Sequence, residues 1–373
     1  MSGVLQHAVA FGLALLGTLA ATPVAVAAGS RLGVLVQPRL FGGGDRWVSP
    51  LGGAVLAVVA CAVVPLAGNG SSSIWSLLAG GVALVALGVL DDHRREGLTA
   101  RSRLGIESLV AAAVWWAGLR PDLSTVPVID LVLTVFFLVG AANAFNLLDN
   151  MDGVAGATAV ASAAGIVVLA SLYGDPLVAG LAATVGGAAL GFLHHNLGGG
   201  SVFLGNGGAL FLGFVLGGAA LMLHVPLPGR WGIPAAVVLM AVPAADTTLV
   251  IVARTLARRP VTQGGTDHAS HRLVAAGLSP VGAAAGHAGG AAVAAVAVGV
   301  AAAHGRPEIL LVVLVAFAGA GFGLLRVPVM KGAPPARSTG PAPTVRPLLG
   351  AEVLASEAPP GSVGFAPSSK LRF

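Results

Sequence analysis

The sequence predicts an all-α, polytopic membrane protein with ten or eleven transmembrane helices, eleven being the preferred count. Three observations carry this. The chain is 56% hydrophobic and only 9% charged, whereas soluble domains carry about 25% charged residues. Apolar runs near the ~20-residue length of a membrane span recur from one end to the other. The 55 glycines, with abundant alanine, suit close helix packing in lipid. A transmembrane β-barrel would need alternating segments of about ten residues, and the sequence has none.

The elements follow in order. The first run, 4–27, has no basic segment ahead of it, so it reads as a span and not a cleaved leader. The second, 51–68, holds Cys61. As the single cysteine it excludes a disulfide framework and reads as a small buried hydrophobe. Further spans are expected at 74–90, 104–119, 127–146, 155–173, 177–194, 208–223, 232–252, 281–303 and 308–326. The membrane domain is therefore 1–326. In the tail, 327–373, "KGAPPARSTGPAPTVRP" and "SEAPPGSVGFAPSSK" are rich in Pro, Ser and Gly, and disorder is expected there.

Strict alternation places 28–50, 91–103, 147–154, 195–207, 253–280 and the tail on one side. Of the 20 Lys and Arg residues, only Arg120, Arg230 and Arg306 fall on the other. The rich side is then cytoplasmic and the N-terminus outside. The pI of 10.6 is an orientation signal, with anionic lipids as partners and not nucleic acid.

Four polar clusters share the cytoplasmic side: "LDDHRREGLTARSR" (90–103), "NAFNLLDNMDG" (143–153), "HHN…FLGNGG" (194–208) and "GGTDHASHRL" (264–273). Ionisable residues near spans are functional candidates, and four clusters on one face suggest a composite site. Asp91 and Asp92 repel each other, and a divalent cation would relieve this, as Mg²⁺ is held by one or two carboxylates plus substrate phosphates. The bland reading is a solvated helix end. In 143–153 a polar residue recurs every third position, and each step drifts about 60° around a helix. Asn143 and Asp152 therefore cannot face one pocket, and the helix is expected to end near Asp149–Gly153. The bland reading here is capping and interhelical hydrogen bonding. His268 and His271 are too few for a closed zinc site; holding phosphate oxygens together with Arg272 suits them better. His194 and His195 read as packing residues. "GNGG" (205–208) is too short for a P-loop but lets backbone N–H groups approach a phosphate.

Together the motifs resemble the polyprenyl-phosphate N-acetylhexosamine-1-phosphate transferases, a family that includes the phospho-MurNAc-pentapeptide translocases. "SPLGG" (49–53) resembles its Pro-x-Gly-Gly loop, and "LDDHRREGLTARSRL" its Asp-Asp motif. "NAFNLLDNMDGVAG" is similar to Asn-x-x-Asn-x-x-Asp-x-x-Asp-Gly. "GFLHHN" with "VFLGNGGALFLGF" resembles the next motif, and "DHASHRLVAAGLS" the cytoplasmic histidine motif. The resemblance implies transfer of a sugar-1-phosphate from a UDP-sugar to a membrane polyprenyl phosphate, with UMP released and Mg²⁺ (or Mn²⁺) required. It implies a multi-pass bacterial plasma-membrane enzyme, with a homodimer as the oligomer to test.

Residue by residue, the resemblance makes Asp91 and Asp92 the acidic pair, serving metal and lipid phosphate. Asn146, Asp149 and Asp152 fall at positions tied to nucleotide-sugar binding and catalysis. Asn196 ends its motif. His268, His271 and Arg272 would face the diphosphate or sugar. Asp246 matches an acid in the ninth span and, eight residues from Arg254, shares roughly one helix face with it. One position departs: where the family's Gly-Asp-x-Gly carries a metal-ligand Asp, this chain has Asn206. That motivates a competing reading, a homologue that binds lipid or nucleotide sugar without turnover. A transporter is the third reading. It needs ionisable residues near the midplane, and only Asp246 suggests one.

Overall fold

The structure, a computed structural model, describes residues 3–32, 35, 48–67, 71–93, 97–227, 231–262 and 264–328. The expected tail from 329 onward lies outside the described residues. Within them the chain is helical, without named strands, and its one β-bridge pairs Ser49 with Val202.

Each apolar run forms helix. In order these are α1 (Gly3–Leu32), α2 (Gly52–Val63) with a 3₁₀ turn at Val64–Ala67, α3 (Ser72–His93), α4 (Ala100–Trp116), α5 (Pro127–Leu148), α6 (Val154–Tyr173), α7 (Pro176–Asn196) and α8 (Gly205–Met222). There follow α9 (Gly232–Leu239), α10 (Ala241–Leu256), α11 (Ala269–Ala275), α12 (Pro280–His304) and α13 (Glu308–Leu324). The ends obey local rules. Thr99 and Ser279 cap α4 and α12 by accepting the N–H of Ser102 and Gly282. Pro127, Pro176 and Pro280 occupy first turns. Left-handed Gly174 and Gly305 close α6 and α12.

Seven helices are long and apolar enough to cross a membrane: α1, α3, α5, α6, α7, α8 and α12. The α9–α10 pair makes an eighth if counted as one span. The protein is thus a multi-pass membrane protein. Helices α2 and α13 are shorter. Helix α4, at 17 residues, would reach only about 25 Å.

The ninth run corrects an expectation. It is not one continuous helix over 232–252 but two helices bent by 73°. Pro243 explains the break: it lacks an N–H, and its ring excludes the carbonyl four residues back. Met240 sits at the corner, its N–H shared between the carbonyls of Ala236 and Val237.

Helix α8 lies at the centre, against α2, α3, α5, α6, α7 and α9. Small residues allow this. A Cβ at Gly53 would strike the backbone of Gly208, one at Gly88 the backbone of Gly207, and one at Gly213 the carbonyl of Ala141. Where hydrophobic driving force between helices is weak, such close backbone approach supplies the packing.

Candidate active site

Asp91 and Asp92 occupy the last turn of α3. That is the negative end of the helix dipole, a destabilising place for acids. The start of α8 compensates. Gly205 adopts φ +72, where a side chain would press on the Pro50 carbonyl and on Asp92, and Gly207 lies against Gly88. This brings Asn206 onto the acids. Its main-chain N–H donates to Asp92 Oδ2 at 3.2 Å, and its Nδ2 donates to Asp92 Oδ1 at 2.7 Å and to Asp91 Oδ2 at 3.3 Å. Asp91 also accepts from the Leu98 N–H at 2.5 Å and lies 3.6 Å from Arg103. The backbone of the "SPLGG" loop is taken up by the segment before α8: Gly52 and Gly53 donate to the Phe203 and Leu204 carbonyls.

The segment 143–153 ends α5 and starts α6. Asp149 is the C-cap of α5, and Asn150 Nδ2 caps the carbonyls of Leu147 and Leu148 at 3.0 and 3.1 Å. Gly153, at φ +84, turns the chain into α6. Asn143 faces α4, where it accepts from Arg103 and donates to Glu107. Asn146 keeps a buried Oδ1 without a hydrogen-bond partner among the described residues. Asp149 is half-buried; burial, then the charges of Asp152 and Asp92, push it up to about 7. Asn196 is buried and fully engaged: Oδ1 accepts the Gly153 N–H at 2.7 Å, and Nδ2 donates to the Val202 carbonyl at 3.1 Å. It braces the turn after Asp152 against the 197–204 segment leading to Asn206. His195 donates to the Leu19 carbonyl of α1 at 3.2 Å, a packing contact.

In the histidine motif, Asp246 reaches out of α10 and organises α11. Its Oδ2 accepts from His268 Nδ1 at 2.8 Å and its Oδ1 from the Ala269 N–H at 2.7 Å. In the neutral ring Nε2 then carries the lone pair. Both carboxylate oxygens thus serve the 264–273 loop rather than a midplane pathway. Asp267, which the sequence reading passed over, is the buried centre of this loop. It accepts from Arg254 Nε at 3.2 Å and from Arg259. Burial would raise its pKa; the two arginines outweigh that and hold it below the usual carboxylate range. Arg254 also donates to the Val261 carbonyl at 2.6 Å, and its buried Nη2 has no partner among the described residues. His271 is buried, and burial together with neighbouring His268 lowers it to about 4, so its ring is neutral at physiological pH.

Arg272 is drawn away from the other candidates. Its Nε donates to the Asp267 carbonyl at 3.0 Å. Its Nη1 donates to the carbonyls of Leu324 and Val327 at 3.1 and 2.8 Å, closing the end of α13. Arg272→Lys cannot reproduce this fork. The variant is expected to lose on the order of 1–3 kcal/mol of stability, seen as a lower Tm, with donor KM nearly unchanged. A normal Tm with a raised donor KM would return Arg272 to substrate binding.

Direct contacts therefore join the clusters. Asn206 links 205–208 to the acid pair, Asn196 links 197–204 to Gly153, and Ser270 donates to Asn150. Asn150 and Ser270 lie inside the quoted motifs but off their spaced positions, so sequence spacing does not pair them. Among the described residues no three His, Cys, Asp or Glu side chains converge on a metal position. Two carboxylates do converge, on the Asn206 amide. Such a pair fits a cation that takes its remaining ligands from water and phosphate, with the amide turned to offer oxygen.

The described residues thus form an all-helical membrane domain that gathers acids, amides and histidines at one end. The model of glycosyl transferase family 4 matches residues 74–224. A probable undecaprenyl-phosphate N-acetylglucosaminyl 1-phosphate transferase of Bacillus subtilis is 30% identical over 281 residues, covering 73% of this chain and 78% of the relative. The decaprenyl-phosphate N-acetylglucosaminephosphotransferase of Mycolicibacterium smegmatis is 30% identical over 260 residues, covering 61% and 64%. A Synechococcus phospho-N-acetylmuramoyl-pentapeptide-transferase is 35% identical over 159 residues, covering 38% and 46%. The chain belongs to glycosyl transferase family 4.

Proposed function

We propose that the protein transfers N-acetylglucosamine 1-phosphate from UDP-N-acetylglucosamine to a polyprenyl phosphate of the bacterial plasma membrane, an initiating step of cell-envelope glycan synthesis. The contact chain through Asn206, Asn196 and Ser270 carries this reading, because it gathers the acid pair, the 149–153 turn and the histidine motif at one end of the helices. The donor preference rests on the relatives named for N-acetylglucosamine, which align over more of the chain than the pentapeptide transferase. We place the polar end in the cytoplasm and the N-terminus outside, with α2, α4 and α13 completing eleven crossings.

An oxygen of the polyprenyl phosphate attacks the sugar-bearing phosphorus of the donor. A new P–O bond forms as the bond to the bridging oxygen breaks, and UMP leaves. A phosphate monoester, with its second pKa near 6, is largely ionised at pH 7. The protein's task is therefore mainly alignment and neutralisation. Asp91 and Asp92 would hold a divalent cation, Mg²⁺ by preference and Mn²⁺ as an alternative, which supplies that neutralisation when bound. Asp149, poised near 7, is suited to take any remaining proton. Asn146 and Asp152 face the nucleotide sugar. His268, oriented by Asp246, and Arg254 address the diphosphate. Asn196 and Arg272 position these groups, and neutral His271 packs beneath them.

The test is UMP release from UDP-N-acetylglucosamine by purified protein supplied with undecaprenyl or decaprenyl phosphate. UMP and the lipid-linked sugar should appear in equal amounts. Faster use of UDP-MurNAc-pentapeptide would overturn the donor assignment. A second reading, binding without turnover, is favoured by the neutral amide at Asn206; saturable donor binding with no UMP would establish it. Truncation after residue 330 should leave UMP release unchanged, since the sequence beyond carries none of the motifs and no apolar run of span length. Loss of turnover in a truncated protein that still inserts would place the tail in the site.

A further inference from the structure

We propose that Asn206 is a two-position amide: it bridges Asp91 and Asp92 while no cation is bound and turns its oxygen to the ion when one arrives. This rests on the reading of the acid pair as the cation site. Asp91 Oδ2 and Asp92 Oδ1 both lie within 3.3 Å of Asn206 Nδ2. Carboxylates only accept, so the group facing them is the NH₂ end. The point where a bridging cation would draw two carboxylate oxygens together is thus held by a neutral donor. The remaining demands are also met internally. Asp92 has the Asn206 main-chain N–H, and Asp91 has the Leu98 N–H and Arg103. The chain itself supplies all of these contacts to the acid pair.

The backbone under Asn206 cannot yield. Gly205 is fixed in a left-handed turn against Pro50, and Gly207 touches Gly88. Any change on cation entry must come from the side chain, whose terminal torsion is broad and two-fold and so turns at little cost. An aspartate at this position would instead present a third carboxylate to two others. It would need a cation to hold the cluster closed, and it would bind that cation more tightly, since affinity for hard cations rises with anionic ligand count. Asn206 therefore trades cation affinity for a site that stays assembled when empty.

The experiment uses the full chain in detergent, with Mg²⁺ alone as the thermal probe and Mn²⁺ binding followed by electron paramagnetic resonance. The wild type should melt at nearly the same temperature in EDTA and in Mg²⁺. Asn206→Asp should melt lower than wild type in EDTA and recover by roughly 3 °C or more on adding Mg²⁺. It should also bind Mn²⁺ at least about tenfold more tightly. Equal melting in EDTA with equal Mg²⁺ responses overturns the proposal, as does failure of both proteins to bind Mn²⁺. Should Asn206→Asp not fold, Asn206→Ala serves: lacking the bridge, it should melt lower in EDTA and gain more from Mg²⁺ than wild type, and identical responses overturn the idea. None of these readouts uses UMP, so the transferase reading stands or falls separately.

Discussion

Asp149→Asn is expected to abolish UMP release and, in the same protein, to raise the melting temperature. The residue terminates α5, where the helix dipole opposes a negative charge. Burial and the charges of Asp152 and Asp92 oppose it further, which is why its pKa climbs to about 7. The sign follows from linkage. A carboxyl whose native pKa exceeds its unfolded one, about 4, is tolerated by the fold when protonated and disfavoured when ionised. The wild type is therefore unpenalised at pH 4, loses stability progressively to pH 7, and is fully penalised above. The isosteric amide removes that penalty, so the gain in Tm should be absent near pH 4 and complete by pH 8. Turnover should fall by at least ~10²-fold, the usual scale for removing a proton-transfer group. Wild-type UMP release, or a stability gain indifferent to pH, would count against this role.

Asp267→Ala should be the most damaging substitution in the histidine loop. The acid is 1% exposed and Arg254 is 2% exposed. Removing the shared anion strands a buried guanidinium, which costs about 3–5 kcal/mol, and releases Arg259 as well. UMP release and Tm should fall together. Asp267→Leu combined with Arg254→Met should recover much of the Tm, since a buried pair replaced by apolar groups is often neutral, while turnover stays lost. Failure of the double variant to recover stability would show that the loop depends on the pair for more than charge balance. Because arginine contact holds the Asp267 pKa low, its contribution is present above the ordinary carboxylate range and is lost only as pH drops below it.

Much of this architecture was readable in the residues. Each apolar run is helical, because run length and composition suffice to mark a helix whose backbone must satisfy itself in lipid. The 60° drift per three residues separated Asn143 from Asp152, and Asn143 indeed faces Arg103 and Glu107 on α4. The break in the ninth run is marked in the sequence by Pro243, but the unbroken apolarity of 232–252 masks it. Asp267 lies next to His268 in a quoted motif, yet its partners sit 8 and 13 residues earlier across an irregular loop, where no periodicity reaches. Arg272 illustrates the same limit. A cationic side chain in a histidine motif suggests phosphate, and only the fold reveals open carbonyls of α13 within its reach.

The contacts of Gly53 with Gly208 and Gly88 with Gly207 bear on how this enzyme can change over evolutionary time. The acid pair is registered against Asn206 where main chains touch with no side chain between them. Such a joint leaves no room for a side chain between the two backbones; it is kept whole or lost. On the proposed reading, diversity in donor choice would accumulate at the exposed positions of the 253–280 loop, where replacement is tolerated. A library aimed at new sugars should hold 49–53, 88 and 205–208 constant, keep the buried Arg254 and the 264–274 segment with Arg259, and randomise only the exposed positions 255–258, 260–262 and 275–280. Most of its members should retain a native-like melting temperature while differing in the sugar they accept.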